Sequence, residues 1–234
     1  MKPIKPKEPI KPIPYATQWI DEDDILAVGE ALRSAYLTQG PLVEEFEKKV
    51  AEYCGAKYAV AVNSGTSALH IACLAAGIKT GDEVITSAIT CAASANCVLY
   101  CGGKPVFADI DPETGLIDPI DIRKKLTNKT KAIIPVHFAG HPADMEEINK
   151  IAIEKNLIVI EDAAHAIGAK YKLKNGNGWV KVGSCAHSDM TIFSFHAVKQ
   201  LTTGEGGMVL TNNEALYKKL LLFRSHGITR DPSL

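Results

Sequence analysis

The 234-residue chain has no surplus of either charge: 26 lysines and arginines stand against 27 aspartates and glutamates, a formal net charge of −1. Without a basic field it has no general attraction for nucleic acid or for an anionic membrane surface. No apolar run approaches the ~18 residues of a membrane span, and residues 1–14 lack the apolar centre of a secretory signal. The six cysteines (Cys54, Cys73, Cys91, Cys97, Cys101, Cys185) form no CxxC pair, and most fall in apolar helical stretches. They read as buried reduced thiols, so the chain is expected to be cytoplasmic. There is no GxxxxGK[ST] loop, no HExxH and no internal repeat, which excludes a Walker loop and a helical zinc motif.

What is present is an ordinary globular composition, 46% hydrophobic and 23% charged, in a chain long enough to bury a large core. Residues 1–14 carry five prolines and four lysines and read as an extended, solvated arm. Asp21 then looks like an N-cap, with a helix to about residue 36. A turn at Gln39-Gly40-Pro41 leads into a second helix that Gly55 closes. From there short apolar strands (58–62, 83–86, 105–108, 132–136, 157–161) alternate with helices (66–76, 91–101, 118–126, 144–155). Such alternation predicts an α/β fold with a parallel sheet covered by helices on both faces. Strands at 190–195 and 207–211 are joined by a glycine-rich turn and should be antiparallel. A helix at 213–226 follows. The expectation is a mixed, mostly parallel sheet of about seven strands.

In open sheets of this kind ligands bind beyond the carboxyl ends of the strands. Three groups of residues are expected there. In Asn63-Ser64-Gly65-Thr66-Ser67, Gly65 lets the backbone approach a phosphate, and the Thr66 and Ser67 hydroxyls and first-turn N–H groups can bind its oxygens. The plainer reading is a helix N-cap. Asp162 ends a buried strand, and His165 follows it by three residues. Lys199 lies between Ser194 and the turn Thr202-Thr203-Gly204-Glu205-Gly206-Gly207. A partly desolvated lysine amine has a lowered pKa and can attack a carbonyl. Lysine and strand-end aspartate together suit pyridoxal 5′-phosphate, which needs an imine anchor and a partner for its ring nitrogen. His137 and His141 lie four apart, but Ala139-Gly140 and Pro142 place them on a loop, so no metal is expected. The glycines at 204–207 precede a strand, which argues against a dinucleotide fingerprint.

The segments Asn63-Ser64-Gly65-Thr66-Ser67-Ala68-Leu69-His70, Glu161-Asp162-Ala163-Ala164-His165-Ala166-Ile167-Gly168-Ala169 and Phe193-Ser194-Phe195-His196 through Lys199 to Gly207 resemble the DegT/DnrJ/StrS family of nucleotide-sugar aminotransferases. The likeness runs over about residues 13–228 and includes Leu37-Thr38-Gln39-Gly40-Pro41 and Pro135-Val136-His137-Phe138-Ala139-Gly140. It implies the large domain of the PLP-dependent transferase fold type I over residues 15–234, with the family's small C-terminal domain missing. By that resemblance Lys199 carries the cofactor and later shuttles a proton, and Asp162 pairs with the ring nitrogen. His165 lies against the ring or near its phenolic oxygen, Gly65, Thr66 and Ser194 hold the phosphate, and Tyr15 and Thr38 approach the sugar nucleotide. The implied reaction moves an amino group from L-glutamate to a keto sugar nucleotide in a homodimer. Within the family the combination is most similar to the branch that aminates a UDP-4-keto-6-deoxy sugar for pseudaminic acid.

The chain departs from the family at Cys91, where many members have Phe or Trp stacked on the ring. Two other readings stay open. One is a relative that performs sugar 3-dehydration with histidine in place of the lysine, against which Lys199 argues. The other is a truncated, non-catalytic remnant or partner-binding module that keeps the fold.

Overall fold

The computed structural model describes residues 12–229 apart from 175 and 177. All but the end of the expected 1–14 arm, and residues 230–234, lie outside the described residues. The first helix, α1 (Glu22–Arg33), begins on an Asp21 capping box and stops three residues short of expectation at Ser34. None of its residues is buried, and Ile25, Leu26, Val28 and Leu32 face solvent. In α2 (Pro41–Cys54), proline takes the first turn, where its missing N–H costs nothing. Gly55 closes the helix at φ 85°.

The central sheet has seven strands: β1 (Tyr58–Val62), β2 (Glu83–Ser87), β3 (Lys104–Ala108), β4 (Thr130–Ile134), β5 (Ile158–Asp162), β8 (Met190–Ser194) and β9 (Gly207–Thr211). Their order is β1-β9-β8-β5-β4-β2-β3. Only β9 runs antiparallel to its neighbours, as the short β8–β9 connection requires. A second, two-stranded sheet of β6 (Lys170–Lys172) and β7 (Trp179–Lys181) was not legible in the sequence. Its strands are three residues long and lysine-bearing, with no apolar run to mark them.

Successive side chains of a strand point to opposite faces, and both faces here are covered. Val84, Ile134, Ile160 and Ile192 pack beneath α3 (Gly65–Ala75), α4 (Ala93–Tyr100) and α7 (Glu214–Arg224). Ile85, Ile133 and Val159 pack on α6 (Met145–Lys155), while Phe193 lies in a third cluster with α2 residues Val50, Ala51 and Cys54. Double coverage is why these strands read as unbroken apolar runs. α5 (Pro119–Lys125) connects β3 to β4. Among the described residues no helix is long and apolar enough to cross a membrane.

Two boundaries differ from expectation in ways that matter for the site. The helix expected from Cys91 starts at Ala93, and its Ala92 cap has no side-chain hydrogen bond. Cys91 is therefore an exposed loop residue, not a buried helical thiol. Strand β4 ends before Pro135, and Val136 instead makes a single parallel bridge to Asp162.

Candidate active site

Asp162 shares its strand face with Ile160, and Ser194 shares its face with Ile192, so both side chains emerge on the α3/α4 side. The turn between β1 and α3 arrives at the same place. Ser64 caps α3, its Oγ accepting the Ser67 N–H at 3.1 Å. Gly65 then packs directly on the end of β8. A Cβ there would stand 2.8 Å from Ser194 Cβ, so only glycine brings the helix N-terminus and Ser194 together. Gly65→Ala is expected to separate them and to cost about 1–3 kcal/mol of stability, as overpacking does. Urea unfolding and the affinity for inorganic phosphate would both register it; unchanged values would refute the close packing.

Gly65, Asp162 and Ser194 line a cavity of about 120 Å³ together with Thr66, His165 and Lys199. Asp162 is buried at the back, its Oδ1 accepting the Ala164 N–H at 3.2 Å and its Oδ2 the Ser94 hydroxyl at 2.6 Å. Lys199 comes from the β8–β9 connection, which is folded back by Phe195 N–H to Gly206 O (2.8 Å) and Thr203 N–H to Phe195 O (3.0 Å). Burial lowers the Lys199 pKa from 10.5, while Asp162 and Cys91 pull the other way. Burial also lowers the His165 pKa from 6.5, helped by the charge of Lys199 and opposed by Asp162. The His165 carbonyl accepts from the Gln200 side chain and packs against Gly140, where φ is 86° and a Cβ would come within 2.8 Å of that oxygen.

Glu161, next in sequence to Asp162, points to the opposite face. It is buried against His137 Nε2 at 2.7 Å and accepts hydroxyls from Ser188 and Thr191. His137 Nδ1 accepts the Ala143 N–H at 3.0 Å, so the ring proton sits on Nε2 and is donated to Glu161. Both ring nitrogens are thus engaged within the fold. Burial pushes the Glu161 carboxyl up, but His137, Ser188 and Thr191 together hold it below its usual range.

Not every expected residue reaches the cavity. Tyr15 is 92% exposed and absent from the cavity wall. Thr38 lines a separate open groove beside Arg224 and His226. Ser67 turns away into an adjoining groove of about 730 Å³ with Asn63, His70 and Arg224. Three wall or support residues went unrecognised in the sequence: Ser94, Thr90 and Phe138. Phe138 adds an aromatic ring to the cavity lining, to which Cys91 contributes only a thiol. The motif Pro135-Val136-His137-Phe138-Ala139-Gly140 was the available signal for it.

The chain is 47% identical over 202 residues to GDP-perosamine synthase of Escherichia coli O157:H7, covering 86% of this chain and 53% of that protein. It is 45% identical over 218 residues to the spore coat polysaccharide biosynthesis protein SpsC of Bacillus subtilis, covering 93% and 54%. Among solved structures, PseC of Helicobacter pylori, an aminotransferase of pseudaminic acid biosynthesis, superposes with a TM-score of 0.83 at 36% identity, covering 95% of this chain and 58% of that one. The PLP-form of the sugar aminotransferase Spr1654 of Streptococcus pneumoniae gives 0.84 at 32%, covering 94% and 59%. The chain spans about half the length of the curated relatives it matches. The sequence pattern of the DegT/DnrJ/EryC1/StrS aminotransferase family matches residues 18–233, and the chain belongs to that family.

Proposed function

We propose that this chain binds pyridoxal 5′-phosphate and serves the transfer of an amino group from L-glutamate to a keto sugar nucleotide in amino-sugar and surface polysaccharide biosynthesis. The observation that carries the reading is that a partly desolvated amine, Lys199 from the β8–β9 connection, and a buried carboxylate, Asp162 at the end of β5, line one cavity. The donor set fits the cofactor part by part: an acid for a basic ring nitrogen, an amine for an aldehyde, and a helix N-terminus flanked by hydroxyls for a phosphate.

When bound, the cofactor supplies an aldehyde that accepts amines and a cationic ring that withdraws electrons. Asp162 holds the proton on the ring nitrogen. The Gly65 and Thr66 N–H groups and the Thr66 and Ser194 hydroxyls hold the phosphate oxygens. Lys199 would hold the aldehyde through its amine and, once an incoming amine has displaced it, would use the freed amine to carry a proton to and from the reacting carbon. His165 and Phe138 close the sides of the cavity and exclude water. Tyr15 and Thr38, which lie apart from the cavity here, are assigned to the sugar nucleotide. Two copies of the chain are expected to associate, a reading supported by the exposed apolar residues of α1.

The preferred acceptor is a UDP-4-keto-6-deoxy sugar, as in the pseudaminic acid branch, a choice supported by the likeness to PseC. The relation to GDP-perosamine synthase makes the GDP-linked sugar its main rival. Titrating the purified chain with pyridoxal phosphate should produce a visible absorbance band, and borohydride should then fix the cofactor to Lys199. Release of 2-oxoglutarate from glutamate, followed with each sugar nucleotide in turn, identifies the acceptor. No fixation at Lys199 would refute the cofactor reading. Fixation without amine transfer would leave a cofactor-binding remnant.

A further inference from the structure

Ser94 is fully buried in the first turn of α4. A serine so placed ordinarily bonds to its own helix. Instead its hydroxyl crosses to a residue 68 positions away and donates to Asp162 Oδ2 at 2.6 Å. Thr90, four residues earlier in the loop before α4 and on the cavity wall, lies 2.6 Å from the same Ser94 oxygen. The single Ser94 proton is committed to the carboxylate, so Thr90 must be the donor of that second bond. The hydrogens therefore run in one direction, from Thr90 to Ser94 to Asp162.

We propose that Thr90 and Ser94 form a two-hydroxyl relay that fixes the orientation of the Asp162 carboxylate and keeps it ionised opposite the cofactor's ring nitrogen, which makes both of them positioning residues. The inference rests on the cofactor reading above. With Oδ2 held by Ser94 and Oδ1 by the Ala164 N–H, the carboxylate cannot turn without breaking a bond. A hydrogen bond to a charged, buried acceptor is among the stronger ones, and each donor polarises the next. The chain of hydroxyls thus supports the acid from behind and leaves its remaining lone pairs for a ligand.

The test compares the wild-type chain with Ser94→Ala, Ser94→Thr, Thr90→Val and the double variant Ser94→Ala/Thr90→Val. Retention of pyridoxal phosphate on dialysis is measured, and the protonation of its ring nitrogen is followed against pH by nitrogen NMR of labelled cofactor. Ser94→Ala should retain the cofactor about tenfold more weakly, the size expected for one hydrogen bond to a charged group. Its ring nitrogen should lose the proton at a lower pH. Ser94→Thr should restore both values, and Thr90→Val should shift them the same way by less. The double variant should be no worse than Ser94→Ala, because the two hydroxyls act in series. Should Ser94→Ala fail to fold by circular dichroism, Thr90→Val decides with the same readouts. Wild-type retention and an unchanged nitrogen titration in the decisive variant would overturn the relay alone. Absence of cofactor fixation at Lys199 in the wild type would overturn the cofactor reading, and the relay with it.

Discussion

Lys199→Ala is expected to abolish borohydride fixation of pyridoxal phosphate and to lower amine transfer by roughly 10²–10⁴-fold, the range lost with a positioned acid–base group. The amine is unusual in its surroundings more than in its sequence position. Burial lowers its pKa from 10.5, so more of it is unprotonated near neutrality than in an exposed lysine. Asp162 opposes that shift. The rate of cofactor capture by the wild type should therefore rise with pH and level off below 10.5. A Lys199→Ala variant that still fixes the cofactor in full would transfer the anchor to another lysine.

His137→Leu should destabilise the fold by about 3–5 kcal/mol, the cost of breaking a buried polar pair and leaving one partner charged. The variant removes the 2.7 Å bond to Glu161 and leaves that buried carboxylate with the Ser188 and Thr191 hydroxyls alone. The Glu161 pKa is below 4.5 in the folded wild type. Its contribution to stability is present above pH 4.5 and is lost as pH falls through the folded value. In His137→Leu, burial is opposed only by hydroxyl donors, so this dependence should weaken or reverse. Urea unfolding across the acid range measures both effects. A loss under about 1 kcal/mol would mean that the pair contributes little beyond what ordinary surface ion pairs do.

Local chemistry carries far in this chain. The N-cap at Asp21, the proline start and glycine stop of α2, and the apolar runs of β1, β2, β4, β5, β8 and β9 each have a short-range cause that survives in the folded structure. The β6–β7 hairpin escaped because its strands are three residues long, each carries lysine, and neither holds an apolar run long enough to mark it. Cys91 looked helical because alanine and cysteine continue around it without punctuation. Only the structure shows it outside α4, where no side chain caps the turn.

The site divides in the same way. Lys199, Asp162, His165, Gly65, Thr66 and Ser194 were legible as types at strand ends, and the structure gathers them on one cavity. Ser94 and Thr90 were not, since nothing local marks a hydroxyl whose partner lies 68 residues away.

The sequence by itself determined the strand–helix alternation, the lysine near the glycine-rich turn and the two adjacent carboxylates at the end of β5. Strand geometry also dictated that Glu161 and Asp162 must face opposite ways. That Asp162 would meet Ser94 of α4, and that Glu161 would be absorbed by His137, was settled only by tertiary packing. A strand's own sequence records the alternation of its faces, but not which helix comes to cover each face.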